Sequence, residues 1–209
     1  MKITAGALGA GVVACGGSAW FGLRTPASVI FPRAACPYSL GDQILVAYAS
    51  KCGATAELAE RIASDLCSTG FRADLLPAGK VKDLTGYRAV VIGTAIYMGK
   101  PLAEARKFTE DFLFPRPDLP LALFNVSLTM KEDTPENAEV ALGYLEELLS
   151  LVKPDLIGLF AGRIAMDTLP PLYRLFAQSD NEGALAEGDY RDWDQVSAWA
   201  AGLPDYLQL

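Results

Sequence analysis

The sequence predicts an α/β fold in which a doubly wound parallel sheet of five strands carries helices on both faces. Short apolar runs alternate with longer stretches whose apolar residues recur at helical spacing, as in repeated strand–helix–strand units. The run from Ala89 to Gly93 is apolar throughout, which is typical of a central parallel strand covered on both faces. Polar turns follow several of these runs, and the carboxyl ends of parallel strands meet at one edge of a sheet. We therefore expect a ligand site at that edge.

The first strand and helix form the clearest pair of elements. An apolar run begins at Ile44, and a helix is expected over residues 56–68. Leu58, Ile62 and Leu66 mark the buried stripe of this helix, and Gly70 is a suitable residue to end it.

The remaining elements follow the same alternation. Further strands are expected over residues 71–76, 89–93, 121–128 and 156–160. Further helices are expected to start at Pro101, at Pro135 with Thr134 as N-cap, near residue 168, and at the capping-box segment 192–195. The helix after Thr134 is expected to run to about Val152.

Composition excludes several kinds of chemistry. The 209 residues include no histidine, which excludes a Ser-His-Asp triad, a Cys-His dyad and any histidine metal ligand. No metal site is predicted, and no catalytic acid or base stands out. The net charge of −7 argues against non-specific binding of nucleic acid. We expect the chemistry to come from a cofactor, or else from carboxylates, thiols, tyrosines or lysines.

The four cysteines are Cys15, Cys36, Cys52 and Cys67, and no pair has Cys-x-x-Cys spacing. This spacing argues against a zinc site or a thioredoxin-like site. Cys67 is expected to be a small buried residue of the first helix. Cys52 is interpreted as a tolerated small residue, with a reactive thiol at the helix N-terminus as the alternative.

The turn after the first strand is a candidate phosphate site. Ser50 and Thr55 carry hydroxyl groups, Gly53 allows a close approach of the backbone, and a helix N-terminus follows. An ordinary turn between a strand and a helix is the alternative. The turn matches neither the P-loop nor the Gly-x-Gly-x-x-Gly dinucleotide motif.

Two of the turns resemble loops of known proteins. Ser50-Lys51-Cys52-Gly53-Ala54-Thr55 resembles the phosphate loop of flavodoxins, Ser/Thr-x-Thr-Gly-x-Thr, with a cysteine where a threonine is usual. Gly93-Thr94-Ala95-Ile96-Tyr97-Met98-Gly99 resembles the Gly-Thr-x-x-Tyr-x-Gly loop of flavodoxin-like FMN proteins. The resemblance implies a flavodoxin-like sheet in the order 2-1-3-4-5 and FMN as the cofactor.

The flavin ring is expected between the second loop, where Tyr97 can stack on it, and a third loop after the fourth strand. A core aromatic is the alternative role for Tyr97. The residues expected to bind FMN are Ser50, Lys51, Cys52, Gly53, Ala54 and Thr55 in the first loop, Thr94, Ala95, Ile96, Tyr97, Met98 and Gly99 in the second, and Asn125, Val126 and Ser127 in the third.

Within that family, the sequence resembles the quinone-linked protoporphyrinogen dehydrogenases. The second loop, the Thr134-Pro135 insertion and the segment 190–196 carry this resemblance, which implies oxidation of a porphyrinogen with a membrane quinone as acceptor. Acidic residues stand where that branch is basic, and they oppose binding of porphyrin propionates. They are Glu132, Asp133, Glu136, Glu139, Asp167 and Asp180.

Two other functions therefore stay open. A flavodoxin-type electron carrier without a substrate of its own would use an acidic surface to dock basic redox partners. A flavin-free interaction module is the second alternative. The sequence gives no expectation of the oligomeric state.

The chain is expected to divide into a hydrophobic segment at residues 1–23, a linker at 24–43 and the FMN-binding domain at 44–209. Ile3 to Leu23 contains no charged residue and is long enough for a membrane-spanning helix. We favour attachment to the cell membrane by this anchor. The alternatives are a lipoprotein signal with Cys15 as the lipidated residue, and a cleaved secretory signal. The flanking charges slightly favour a cytoplasmic position for the domain.

Overall fold

The computed structural model describes residues 29–36, 42–179 and 186–209, and its centre is a sheet of five parallel strands. Along the sheet the strands lie in the order β3-β2-β4-β6-β7, which is the predicted order 2-1-3-4-5 when the parallel strands are counted alone. The five are β2 (Gln43–Ala49), β3 (Arg72–Pro77), β4 (Ala89–Tyr97), β6 (Leu121–Ser127) and β7 (Leu156–Ala161).

Four short strands were not predicted. Two of them extend the main sheet, because β1 pairs antiparallel with β3 and β5 pairs antiparallel with the end of β4. The other two, β8 and β9, pair with each other after β7. The four are β1 (Ala34–Ala35), β5 (Lys100–Pro101), β8 (Arg163–Ile164) and β9 (Gly188–Asp189).

The helices cover both faces of the sheet. Helix α2 continues as a π-helical turn over Thr109–Leu113. The helices are α1 (Ala54–Ser68), α2 (Ala103–Phe108), α3 (Pro135–Gly143), α4 (Glu146–Leu149), α5 (Pro171–Ser179) and α6 (Trp193–Tyr206).

Two helix predictions need correction. Pro101 does not start a helix, because it pairs with Ile96 in the β4–β5 hairpin and α2 begins two residues later. The helix expected from Thr134 to Val152 is divided into α3 and α4, and the break follows Gly143, a poor helix former. The predicted N-cap is confirmed, since the Thr134 side chain accepts a hydrogen bond from the Asn137 N–H.

The core lies on both sides of the sheet, as doubly wound topology requires. Alternate residues of β2 point to opposite faces: Ile44 and Val46 pack in the cluster with α1 and α6, whereas Leu45 and Ala47 pack in the cluster with α2 and α4. All four side chains have no exposed surface. This core fixes the carboxyl ends of β2, β4 and β6 side by side.

Part of the stretch expected to be a linker belongs to the fold. We call residues 29–36 the N-terminal arm. Its strand β1 pairs with β3, and the Tyr48 hydroxyl donates a hydrogen bond to the Pro32 carbonyl at 2.8 Å. Cys36 forms a disulfide with Cys67, with the two Cα atoms 5.9 Å apart. Cys67 is therefore a disulfide residue and not simply the small buried residue that the sequence suggested. The pairing of β1 with β3 brings Cys36 to the end of α1, where Cys67 lies.

The expected membrane segment, residues 1–23, lies outside the described residues. Within residues 29–36, 42–179 and 186–209, no helix is long and apolar enough to cross a membrane.

Candidate functional site

Three loops at the carboxyl edge of the sheet surround one cavity of about 220 Å³. The structure brings together most of the side chains that the sequence assigned to FMN. Those lining the cavity are Ser50, Lys51, Cys52, Ala54, Thr55, Ala95, Ile96, Tyr97, Val126 and Ser127. The loops after β2, β4 and β6 therefore form a single site, although contact with FMN stays a prediction for each residue.

Five of the proposed residues do not line the cavity. Thr94 and Asn125 are neighbours in the sheet and are fully buried. The Thr94 hydroxyl accepts a hydrogen bond from the Leu102 N–H at 3.1 Å, and the Asn125 amide donates one to the Ala141 carbonyl at 2.7 Å. These two side chains hold the loops and helix α3 in place.

The other three are loop backbone or a loop tip. Gly53 lies inside the first turn, while Met98 and Gly99 form the tip of the β4–β5 hairpin with φ values of 50° and 74°. Met98 is 87% exposed. Gly99 faces Tyr144 on the far side of the hairpin.

The first turn has the geometry of an anion site. Gly53 has a φ of 94°, which favours glycine, and its N–H donates to the Ser50 hydroxyl oxygen at 3.2 Å. Helix α1 starts directly after it and has no side-chain N-cap. The first N–H groups of the helix therefore point past the turn without helical partners, beside the buried Thr55.

Cys52 is a free thiol that lines the cavity. Burial raises the pKa of the Cys52 thiol, and the nearby Lys51 ammonium opposes this only in part. A thiol with a raised pKa stays neutral at pH 7 and reacts slowly. The structure favours the interpretation of Cys52 as a tolerated small residue.

Aromatic side chains and a lysine also line the cavity. The ring centroids of Tyr97 and Tyr173 lie 5.3 Å apart in an edge-to-face arrangement. The Lys51 Nζ lies 4.1 Å from the Tyr97 ring centroid and 5.1 Å from that of Tyr173. A flat aromatic ligand can replace such contacts by stacking on the same ring faces.

Ser127 supplies a polar atom that needs a ligand. Its side chain is 5% exposed, lines the cavity, and its hydroxyl has no hydrogen-bond partner among the described residues. Buried polar groups are normally paired, so this hydroxyl is suited to a polar edge of a bound molecule. An anion site, aromatic rings and an unpaired polar atom at the β6 loop, all at one cavity, fit a phosphorylated ring ligand such as FMN.

Comparison with known proteins agrees with this arrangement. The model of a family described as a flavodoxin domain matches residues 45–179, more than half of the chain. The chain belongs to the flavodoxin family. It therefore has the FMN-binding flavodoxin fold, and the sequence-based prediction of that fold is confirmed.

Individual known proteins are similar to the chain at lower identity. The chain is 26% identical over 171 residues to the protoporphyrinogen IX dehydrogenase [quinone] of Escherichia coli K12, covering 75% of this chain and 91% of that protein. A flavodoxin from the domain Archaea is 17% identical with a TM-score of 0.48, covering 80% of this chain and 99% of its own. Oxidised Flavodoxin 2 from Bacillus cereus is 21% identical with a TM-score of 0.47, covering 78% and 98%.

Sequence reasoning missed one wall of this flavodoxin site. The connection from β7 to α5 and the first turn of α5 contribute residues that close the cavity, and they are Gly162, Arg163, Ile164, Leu169 and Tyr173; Leu128 after β6 was missed as well. The one available signal was the aromatic and apolar content of residues 168–178, which include Pro170 and Pro171. In the structure Tyr173 lines the cavity, whereas Leu172 is 37% and Leu175 62% exposed.

The cavity wall also carries charge beside the phosphate turn. Arg163 donates from Nη2 to Glu57 Oε1 at 2.8 Å, and Arg191 donates from Nη1 to Glu57 Oε2 at 2.6 Å. Arg191 also binds Asp189, and its hydrogen bonds lower the pKa of the Asp189 carboxyl. The Asp189 carboxylate therefore stays ionised at neutral pH. Among the described residues, no group of three or more acidic or cysteine side chains is placed to hold a metal ion.

Proposed function

We propose that this protein is an FMN-dependent oxidoreductase, attached to a membrane, that passes electrons to a quinone. The observation that carries the proposal is the single cavity at the sheet edge, with an uncapped helix N-terminus at one end and the unpaired Ser127 hydroxyl at the β6 loop. The quinone and a porphyrinogen substrate class are supported by the similarity to the bacterial dehydrogenase, of which the chain covers 91%.

The side chains divide the work of binding. The first N–H groups of α1, with Ser50 and Thr55, hold the phosphate, and Tyr97 stacks on the ring system. Ser127 bonds a polar edge of the ring. When bound, FMN supplies the electron- and hydride-transfer chemistry. The described side chains that line the cavity include no carboxylate, so their role is to bind, orient and exclude water.

The decisive experiment compares the purified protein with and without added FMN. We expect visible flavin absorption, and oxidation of a porphyrinogen when FMN and a menaquinone analogue are present. Tyr97→Leu provides a variant that should lose part of the flavin affinity while folding normally. Protein that takes up no FMN from excess would contradict the proposal and favour the flavin-free interaction module.

A flavodoxin-type electron carrier is the second candidate. Exposed acidic residues at and before α3 favour it, because a negative surface docks basic redox proteins. They are Glu132, Asp133, Glu136 and Glu139. Protein that binds FMN but does not turn over porphyrinogen, and whose reductive titration resolves two one-electron steps, would favour the carrier over the dehydrogenase.

The N-terminal arm suggests how the site faces the membrane. Val29 of the arm lies beside the phosphate turn, because its Cγ1 would lie 3.4 Å from a Cβ on Gly53. An anchor in residues 1–23 then keeps the edge with the cavity close to the lipid, where a quinone can reach it.

The Cys36–Cys67 disulfide bears on the side of the membrane. Disulfides persist in oxidising compartments, so we propose that the domain lies outside the cytoplasm rather than on the side slightly favoured by the flanking charges. Trapping thiols in intact cells with an alkylating reagent tests this proposal. Recovery of Cys36 and Cys67 in the alkylated, reduced form would assign the domain to the cytoplasm.

A further inference from the structure

One carboxylate beside the phosphate turn is shared by two arginines. Glu57 lies in the first turn of α1, and its two oxygens accept hydrogen bonds from Arg163 and Arg191 at 2.8 and 2.6 Å. Glu57 Oε1 would also lie 3.7 Å from a Cβ on Gly53. The Arg163 guanidinium is therefore next to the turn, although 106 residues separate it from Glu57 along the chain.

The two arginines differ in how many of their N–H donors remain available to a ligand. The Arg191 side chain is 4% exposed, donates from Nε and Nη2 to Asp189, and lies with Cζ 4.5 Å from the Trp193 ring centroid. The Arg163 side chain is 26% exposed and lines the cavity. Among the described residues, only its Nη2 has a hydrogen-bond partner. Glu57 takes one hydrogen of Nη2, so its second hydrogen can still form a two-pronged donor with Nε or with Nη1 towards a ligand.

Charge explains why both arginines are present. A carboxylate in the first turn of a helix interacts favourably with the helix dipole, but it repels an anion bound at the same N-terminus. Two guanidinium groups on Glu57 offset that repulsion, and the one on Arg163 lies at the cavity. A planar guanidinium donates two parallel hydrogen bonds to a phosphate, which a lysine cannot do.

The turn itself leaves room for such a contribution. Ser50 accepts from the Gly53 N–H and keeps its own hydroxyl hydrogen for the phosphate, whereas the neutral thiol of Cys52 is only a weak donor. A dianionic phosphate offers more acceptor positions than the helix N–H groups and the hydroxyls of Ser50 and Thr55 occupy. A charged donor from Arg163, next to the turn, completes its coordination.

We propose that Arg163 is a phosphate-binding residue of this site, held in position by Glu57, which Arg191 fixes in turn. The inference rests on the proposed function as an FMN protein. Under this proposal, Arg163 in β8, outside the phosphate turn, makes the site prefer a phosphorylated flavin to an uncharged one.

The experiment measures the dissociation constants of FMN and riboflavin, which share the ring but differ in the phosphate. We expect Arg163→Gln to weaken FMN binding by about tenfold to a hundredfold, with riboflavin binding unchanged. Arg163→Lys keeps the charge but loses the planar fork, so it should fall between the wild type and Arg163→Gln. Arg106→Gln removes an exposed arginine paired with Glu147 and serves as the matched control.

The outcomes separate this inference from the proposed function. If the wild type binds FMN and the ratio of the two dissociation constants is the same in Arg163→Gln, the role of Arg163 is wrong and the FMN function stands. Equal losses for both flavins would assign Arg163 to the scaffold and also overturn the inference. If Arg163→Gln does not fold, the ratio in Arg163→Lys decides in the same way. A wild type that binds neither flavin would overturn both proposals.

Discussion

Helix α1 carries the same residue types at its two ends and uses them differently. Residues 52–55 at the start are Cys-Gly-Ala-Thr, and residues 67–70 at the end are Cys-Ser-Thr-Gly. Gly53 and Gly70 have similar φ values of 94° and 100°. At the start, no side chain caps the helix and the N–H groups face the cavity.

At the end of the helix, carbonyl groups of the last turn are paired with nearby N–H and hydroxyl groups. The Gly70 N–H donates to the Cys67 carbonyl and the Phe71 N–H donates to the Leu66 carbonyl, which is the Schellman pattern. The Thr69 hydroxyl donates to the Leu66 carbonyl as well, at 2.9 Å. This end needs no ligand, and its cysteine is covalently joined to the N-terminal arm.

A residue type therefore does not determine its role in this fold. A glycine, a cysteine and a threonine stand beside the cavity where the helix N–H groups are left unpaired, and they form a structural clamp where the carbonyl groups are already paired. We expect changes at the start of α1 to affect ligand binding, and changes at the end to affect stability.

The largest expected effect comes from the cysteine at the end of the helix. Replacing Cys36 and Cys67 by serine removes a crosslink over a sequence separation of 31, which should lower the free energy of unfolding by about 3–4 kcal/mol. FMN affinity should stay the same under conditions where the variant is folded. Urea denaturation and flavin titration measure the two quantities.

The matched control is Cys52→Ser, which also removes a thiol but no crosslink, and it should shift the stability by no more than about 0.5 kcal/mol. A parallel loss of FMN affinity in the Cys36/Cys67 variant would contradict the separation of ligand binding at the start of α1 from stability at its end. It would mean that the N-terminal arm, which contacts Gly53 through Val29, also holds the phosphate turn in its binding conformation.

The parts of the molecule that could be predicted are those encoded locally. Each parallel strand and the turn after it form a continuous stretch, so the sheet order and the three site loops follow from a known motif and from apolar patterning. Even there, only the last residues of each strand reach the cavity, such as Ala95 in β4 and Val126 in β6. Thr94 and Asn125, which precede them and pair in register, are fully buried instead.

The parts that were missed depend on residues far apart in the chain. The disulfide joins a residue of the expected linker to the end of α1, and the Arg163–Glu57 ion pair spans 106 residues. Neither Cys36 nor Arg163 stands in a motif that would indicate its partner. The wall formed by Leu169 and Tyr173 could not be assigned for the same reason, since its role appears only when the β7–α5 connection folds over the sheet edge.

The threonines at the two ends of α1 can be tested by the same isosteric change to valine. Thr55→Val replaces a buried hydroxyl by a methyl group of the same size, so the packing is kept. The loss of a charge-assisted hydrogen bond to phosphate should weaken FMN binding by about 1.5–3 kcal/mol and leave riboflavin binding unchanged. Thr69→Val breaks the bond to the Leu66 carbonyl, and it should cost about 1 kcal/mol of stability with no change in either flavin affinity. An FMN dissociation constant that Thr55→Val does not alter would remove the hydroxyl from the phosphate site. The helix N–H groups and Arg163 would then have to hold the phosphate without it.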